Sequence, residues 1–257
     1  MRVILMGAKC IALCLVLAAP CSADLVAHYT FDDSFDLGTD SSGNGYHATN
    51  NGASFDVNGY SGGGALLFGT GFIRAPIDVD PAAMGNMTWG AWVRPISTNP
   101  IQTILSNDDA GFDRSIVIDA RGGSQTSYGA FRGSGVLNSG IAPTSGEWTF
   151  LAVAYDNANS SMTFYVDDQS FTTSTSFGST AHTYFDIGHN PSFNESFSGT
   201  IDEVFVFNET LSGNQIATIR TSGVTSVPEP NSLWLVTACL AVAFVRLLLR
   251  RALTIPP

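Results

Sequence analysis

Between its two ends the 257-residue chain has no covalent cross-link to draw on. Its four cysteines, Cys10, Cys14, Cys21 and Cys239, all lie toward the termini, so the stretch between them cannot form a disulfide. A buried core must hold it instead, and about 200 residues are enough to build one. Lysine is absent there too. Residues 24–227 carry 6 basic side chains, all arginine, against 21 acidic ones, a formal charge of −15. Such a surface repels phosphates and excludes nucleic acid as a partner, while it suits cations. Catalytic patterns are equally scarce. No H-x-x-x-H spacing occurs. The glutamates of this stretch, Glu147, Glu195, Glu203 and Glu209, never fall two or four residues apart. A strand bearing the paired carboxylates of a glycosidase is therefore not visible, and the chain reads as a non-enzyme. Long helical periodicity is also missing between Asp24 and Leu211.

What is present begins with the ends. Arg2 and Lys9 form a positive n-region, Cys10 to Ala19 an apolar stretch, and Cys21-Ser22-Ala23 a small-x-small site. This is the layout of a secretory signal over 1–23, cleaved between Ala23 and Asp24. At the other end, Leu233 to Leu249 is apolar apart from Thr237 and Arg246, and Arg250 and Arg251 follow. Seventeen such residues reach the lower limit for a membrane-spanning helix. Arg246 can snorkel to the interface, and the basic cluster predicts that 250–257 face the cytoplasm.

Ahead of that run, in the linker 223–232, stands Pro228-Glu229-Pro230. The tripeptide, the short hydrophobic helix and the terminal arginines Arg246, Arg250 and Arg251 together resemble the PEP-CTERM sorting signal of Gram-negative bacteria. The resemblance covers 227–251. It implies anchoring in the inner membrane with the domain outside the cytoplasm, processing by an exosortase near the motif, release to the cell surface or matrix, and an association with exopolysaccharide.

The domain between, 24–222, alternates with a period of two. "LVAHYTF" puts Leu25, Ala27, Tyr29 and Phe31 on one face and Val26, His28 and Thr30 on the other. "MTWGAWV", "SIVIDA", "WTFLAVAYD", "MTFYVDD" and "TIDEVFVF" read the same way, separated by turn clusters such as "SSGNG" and "GYSGGG". Many short strands with glycine-rich turns and no alternating helices predict an all-β antiparallel sandwich. One short helix is expected at "SGNQIATI", with Ser212 as its N-cap. Trp89 and Trp92, three apart on a strand, should point to opposite faces, so at most one of them can serve a ligand.

The order of these pieces resembles the laminin G-like, concanavalin A-like jelly-roll family over roughly 25–221. "AHYTFDDS" followed by "DSSGNGYHAT", then "GGALLFG", "MTWGAWVRP", "GEWTFLAVAYD", "MTFYVDD", "IGHN" and "FSGTIDEVFVFNETLSGNQI" carry it. One departure is Asp168, where the family's turn usually has glycine, so the turn must hold an aspartate at positive φ or lengthen. Many members bind calcium where the first strand's loop meets the last strand. The resemblance places Asp32 and Asp202 there, with Asp40 and Asn44 of "DSSGNG" as further oxygens for Ca2+. The alternative is that these side chains cap turns and accept backbone N–H bonds. The expected function is a tethered, non-catalytic module contacting carbohydrate or an envelope protein, with a glycan-active hydrolase or lyase of the same fold as the alternative.

Overall fold

The computed structural model describes residues 24–99, 101–178 and 181–227. In chain order the first strands are β1 (Leu25–Tyr29), β2 (Thr49–Asn51), β3 (Ser54–Asp56), β4 (Gly64–Leu67), β5 (Phe72–Ala75), β6 (Met87–Pro95), β7 (Gln102–Ser106) and β8 (Ser115–Asp119). They continue with β9 (Ser127–Phe131), β10 (Val136–Asn138), β11 (Thr149–Asp156), β12 (Ser161–Val166), β13 (Gln169–Ser174), β14 (Phe185–Ile187) and β15 (Gly199–Phe207). The helix α1 (Gly213–Ser222) and a short 3-10 turn at Val224–Ser226 follow. The signal segment, the Pro228–Pro230 motif, the apolar run and the arginines at 246, 250 and 251 lie outside the described residues. Among the described residues no helix is long and apolar enough to cross a membrane.

Two sheets stack face to face. One has eight strands in the order β13-β12-β11-β6-β15-β4-β3, with β1 also on β15, and the other has seven in the order β10-β9-β8-β7-β14-β5-β2. The expected all-β antiparallel, jelly-roll-like sandwich is what forms. Alternation decides which side chains meet between the sheets. Met87, Trp89, Ala91 and Val93 of β6 join Leu151, Val153 and Tyr155 of β11 in the main core. The opposite face of the larger sheet is apolar as well. Phe150, Ala152, Phe205 and Phe207 pack there under Ile216 and Ile219 of α1 in a second core. Each of those two isoleucines contributes about 1.5–3 kcal/mol by leaving water. Ser212 caps α1 as expected, its hydroxyl accepting from the Gln215 N–H while the Gln215 side chain accepts from the Ser212 N–H.

Two expectations need correction. Leu25 does not share a face with Ala27, Tyr29 and Phe31. The β1 register against β15 shifts between Leu25 and Ala27, and this bulge sends Leu25 to the outer core while Val26 packs on the inner one. In the β12–β13 hairpin an aspartate does take positive φ, but it is Asp167 at 53° rather than Asp168. Asp167 is held in place by pairing with Phe150, donating its N–H to the Phe150 carbonyl and accepting the Phe150 N–H on its carboxylate.

Strand β15 sets up the site. One long side pairs with β6. Its other side is shared: β4 takes Gly199 to Ile201, and β1 takes Val204 to Phe207. Asp202 and Glu203 fall at the seam. There β15 carries a second bulge, between Asp202 and Phe205 in its register with β6, and Glu203 sits at φ 52°.

Candidate ligand-binding site at the seam

At the seam the sheet's own hydrogen-bonding gives way to side chains. The chain leaving β1 supplies Asp32, whose carboxylate accepts the Gly63 N–H at 2.8 Å. Fully buried Asp202 takes the N–H groups of Tyr60 and Ser61 on one oxygen, at 2.8 and 3.0 Å, and that of Glu203 on the other, at 2.7 Å. Both aspartates therefore hold one loop, "GYSGGG", between β3 and β4. The fit is close enough to require glycine: Gly62 has φ 79°, and a Cβ there would lie 2.1 Å from the Asp32 carboxylate. Burial pushes the Asp202 carboxyl up to about 7, against the opposing pull of the Ser61, Glu203 and Tyr60 N–H groups and with a further push from the Glu203 charge.

Asp40 and Asn44 belong elsewhere. Asp40 accepts from the His28, Ser42 and Tyr46 N–H groups and from the Ser42 hydroxyl. Burial alone would raise its carboxyl, but these bonds outweigh it and hold it below the usual range. Asn44 turns its amide nitrogen to the Leu25 and Val26 carbonyls. Neither residue shares a partner with Asp32 or Asp202. Among the described residues no group of three or more His, Cys, Asp or Glu side chains is placed to hold a metal ion. What surrounds Asp40 and Asp202 is a shell of N–H donors, which a cation would repel. Asp32, Asp40 and Asp202 accept backbone N–H bonds and Asn44 donates to backbone carbonyls, so the four expected ligands organise two loops and are not brought together as one calcium site.

Beside the seam lies a cavity of about 260 Å3, open to solvent between the Tyr60 loop and the last turn of α1. Tyr60, Trp92, Phe150, Phe205, Glu203 and Arg220 contribute to its lining. Tyr60 stacks on Trp92 with ring centroids 3.6 Å apart and planes 11° from parallel, and it meets Trp148 edge-on at 5.9 Å. Trp89 points the other way, into the core, as its spacing from Trp92 requires. Glu203 is fixed by His28, whose Nε2 lies 2.7 Å from Oε2. Asp202, although adjacent in sequence, has no surface in the cavity, so Glu203 is the lone carboxylate among the lining residues.

Sequence reasoning singled out Asp202 as a metal ligand and left at most one of Trp89 and Trp92 for a ligand, but it missed Tyr60, His28 and Glu203. Strict alternation would place Glu203 on the inner face, with Ile201. The bulge reverses that, and a glutamate at positive φ has no marker in composition. Non-glycine residues held in that region often mark a functional site.

Fold and site together define a two-sheet antiparallel sandwich closed by a C-terminal helix, with an aromatic cavity on one outer face. The chain belongs to the concanavalin A-like lectin/glucanases superfamily (Laminin G 3), whose family profile matches residues 69–217. No curated protein matches the chain. Among solved structures it is similar to domain 4 of AbnA, a GH43 extracellular arabinanase from Geobacillus stearothermophilus, in complex with arabinotriose. That match has 23% identity and a TM-score of 0.63, covering 78% of this chain and 100% of that one. It is also similar to the binding domain of botulinum neurotoxin serotype D, with 12% identity, a TM-score of 0.54 and coverage of 76% of this chain and 51% of that one. The binding domain of botulinum neurotoxin DC in complex with SialylT matches at 13% identity and a TM-score of 0.56, covering 78% and 51%. The chain thus spans about half the length of the neurotoxin binding domains. At these identities the likeness is one of fold.

Proposed function

We propose that this protein is an exported, membrane-tethered, non-catalytic module that binds carbohydrate through the cavity at the seam. The observation that carries the reading is the pairing of stacked aromatic rings with one rigidly held carboxylate. A sugar presents an apolar C–H face and a rim of hydroxyls. The outer face of the exposed Tyr60 ring, backed by the Trp92 ring stacked on it, suits the first, and Glu203, with its Oε1 free of hydrogen-bond partners among the described residues, suits the second. Its volume is at or below the low end of the roughly 300–1,000 Å3 typical of drug-sized ligands, so a single sugar ring is the unit held.

The lone carboxylate also supports the non-catalytic part. Glycoside hydrolysis by the common route needs two carboxyl groups flanking the scissile bond, and Asp202 is sealed away from the cavity. The address rests on the ends: the resemblance of 227–251 to a PEP-CTERM signal supports an inner-membrane tether, exosortase processing and release toward an exopolysaccharide matrix. An envelope protein is the competing partner.

A glycan array probed with the protein, with Glu203→Gln and with Tyr60→Ala tests the reading. The wild type should capture a defined set of glycans, and each variant should lose about tenfold or more of that affinity. Capture of envelope protein without any glycan would overturn it. So would release of reducing ends that depends on Glu203, which would make the protein an enzyme.

A further inference from the structure

The electrostatics of the cavity point to a narrower ligand class. We infer that the sugar held at the seam is an amino sugar with its amine free and protonated. This rests on the carbohydrate reading above and deepens it. Most features around the cavity favour a cation, and one, Arg220, opposes them. Glu203 is the lone carboxylate in the lining, and its partner His28 fixes it from behind without closing Oε1. The last turn of α1, Ile219 to Ser222, with the cap residue Gly223, forms one wall, where the partial negative charge of the helix's carbonyl end is offset by Arg220. Aromatic rings line the floor, and ring faces attract an ammonium group. Around all of this, residues 24–227 carry a formal charge of −15, a field that concentrates cations at a cleft.

Arg220 acts in the opposite direction. It lies in the last turn of α1, half-buried on the cavity wall, where a cation complements the helix end. It offsets the helix end and leaves Glu203, the rings and the surrounding field to select the ligand. An N-acetylated sugar has the same ring and no charge, so it gains the stacking and loses the ion pair.

The test compares oligomers of glucosamine and of N-acetylglucosamine, equal in length, by calorimetry on the full-length protein in detergent at about pH 6, where such an amine is charged. The glucosamine oligomer should bind at least about tenfold more tightly. That preference should shrink as salt screens the field. Glu203→Gln should abolish the preference while residual binding of the acetylated oligomer remains, and Arg220→Gln should enlarge it. Equal affinities, or tighter binding of the acetylated oligomer, overturn the inference and leave the carbohydrate reading standing. Binding of other neutral glycans with no response to glucosamine does the same. If no sugar of either kind binds and the array is also empty, the carbohydrate reading itself falls.

Discussion

Replacing Asp202 with asparagine changes no volume, and it removes a charge only above about pH 7, where the buried carboxyl ionises. The carboxylate accepts three backbone N–H groups, two on one oxygen and one on the other. An amide has a single acceptor oxygen. Turned toward Tyr60 and Ser61, it keeps two of the bonds and sets its NH2 against the Glu203 N–H, donor to donor, in a fully buried position. One unsatisfied buried donor costs about 1–3 kcal/mol, whereas the neutral carboxyl present below about pH 7 still accepts on both oxygens, its hydroxyl oxygen included. About 3 kcal/mol in a domain of this size lowers Tm by about 6–12 °C. The effect should depend on pH with a definite sign. Burial raises the folded-state carboxyl to about 7 from an ordinary value of 3.8, so the folded protein binds this proton more tightly than the unfolded chain does. The group's stabilisation is complete below about pH 4 and is lost as pH rises toward 7, by up to about 4 kcal/mol. Asp113, raised by burial to about 6, contributes the same sign in wild type and variant alike and cancels in the comparison. Thermal melts from about pH 4 to 8 on both proteins should therefore show the largest gap at low pH and a gap that narrows as pH rises. Parallel curves, or an Asp202→Asn variant within about 2 °C of wild type at low pH, would refute this account of the seam.

Gly62→Ala should destabilise by about 1–3 kcal/mol in the same melts, because it forces a side chain into positive φ and against Asp32; a silent substitution would mean the loop is not held as described. Calcium at millimolar levels should leave Tm within error of a chelated sample, since N–H donors surround Asp40 and Asp202; a rise that Asp202→Asn abolishes would restore the metal. Reporter fusions at Ser226 and Pro257 should place the domain outside and the tail inside, with a cytoplasmic signal at Ser226 counting against the tether. Intact-mass measurement on protein from the native host should find a chain ending near Pro228-Glu229-Pro230, and retention of 231–257 would leave a plain anchor.

The sandwich was legible because its sequence signals are local. Alternation in β6, β11 and β15 follows from side chains that must point alternately into and away from a core, and the Ser212–Gln215 cap is written in four consecutive residues. The site was only half legible. "GYSGGG" announces a turn, but nothing in it says that two carboxylates grip its backbone. The two bulges matter most. Each adds one residue on one strand, which exchanges inside and outside from that point on. Leu25 and Glu203 both changed faces this way, without any compositional mark. The His28–Glu203 pair spans 175 residues of chain, a distance at which pattern carries no information about partners.

The position of β15 has a consequence for how the protein is made. The last strand among the described residues lies inside the larger sheet, flanked by β6 on one side and by β4 and β1 on the other. Until residues 199–207 have emerged, β6 has an open edge and β1 has no neighbour at all. Long-range pairing of this kind makes folding slow, and nearly complete chains present apolar strand edges that can join another copy. A chain that crosses a membrane before folding would meet this hazard on the far side, where the −15 charge of residues 24–227 keeps copies apart while β15 arrives. Acidity on this account serves assembly, and neutralising surface aspartates should lower the yield of folded protein before it lowers the stability of what has folded.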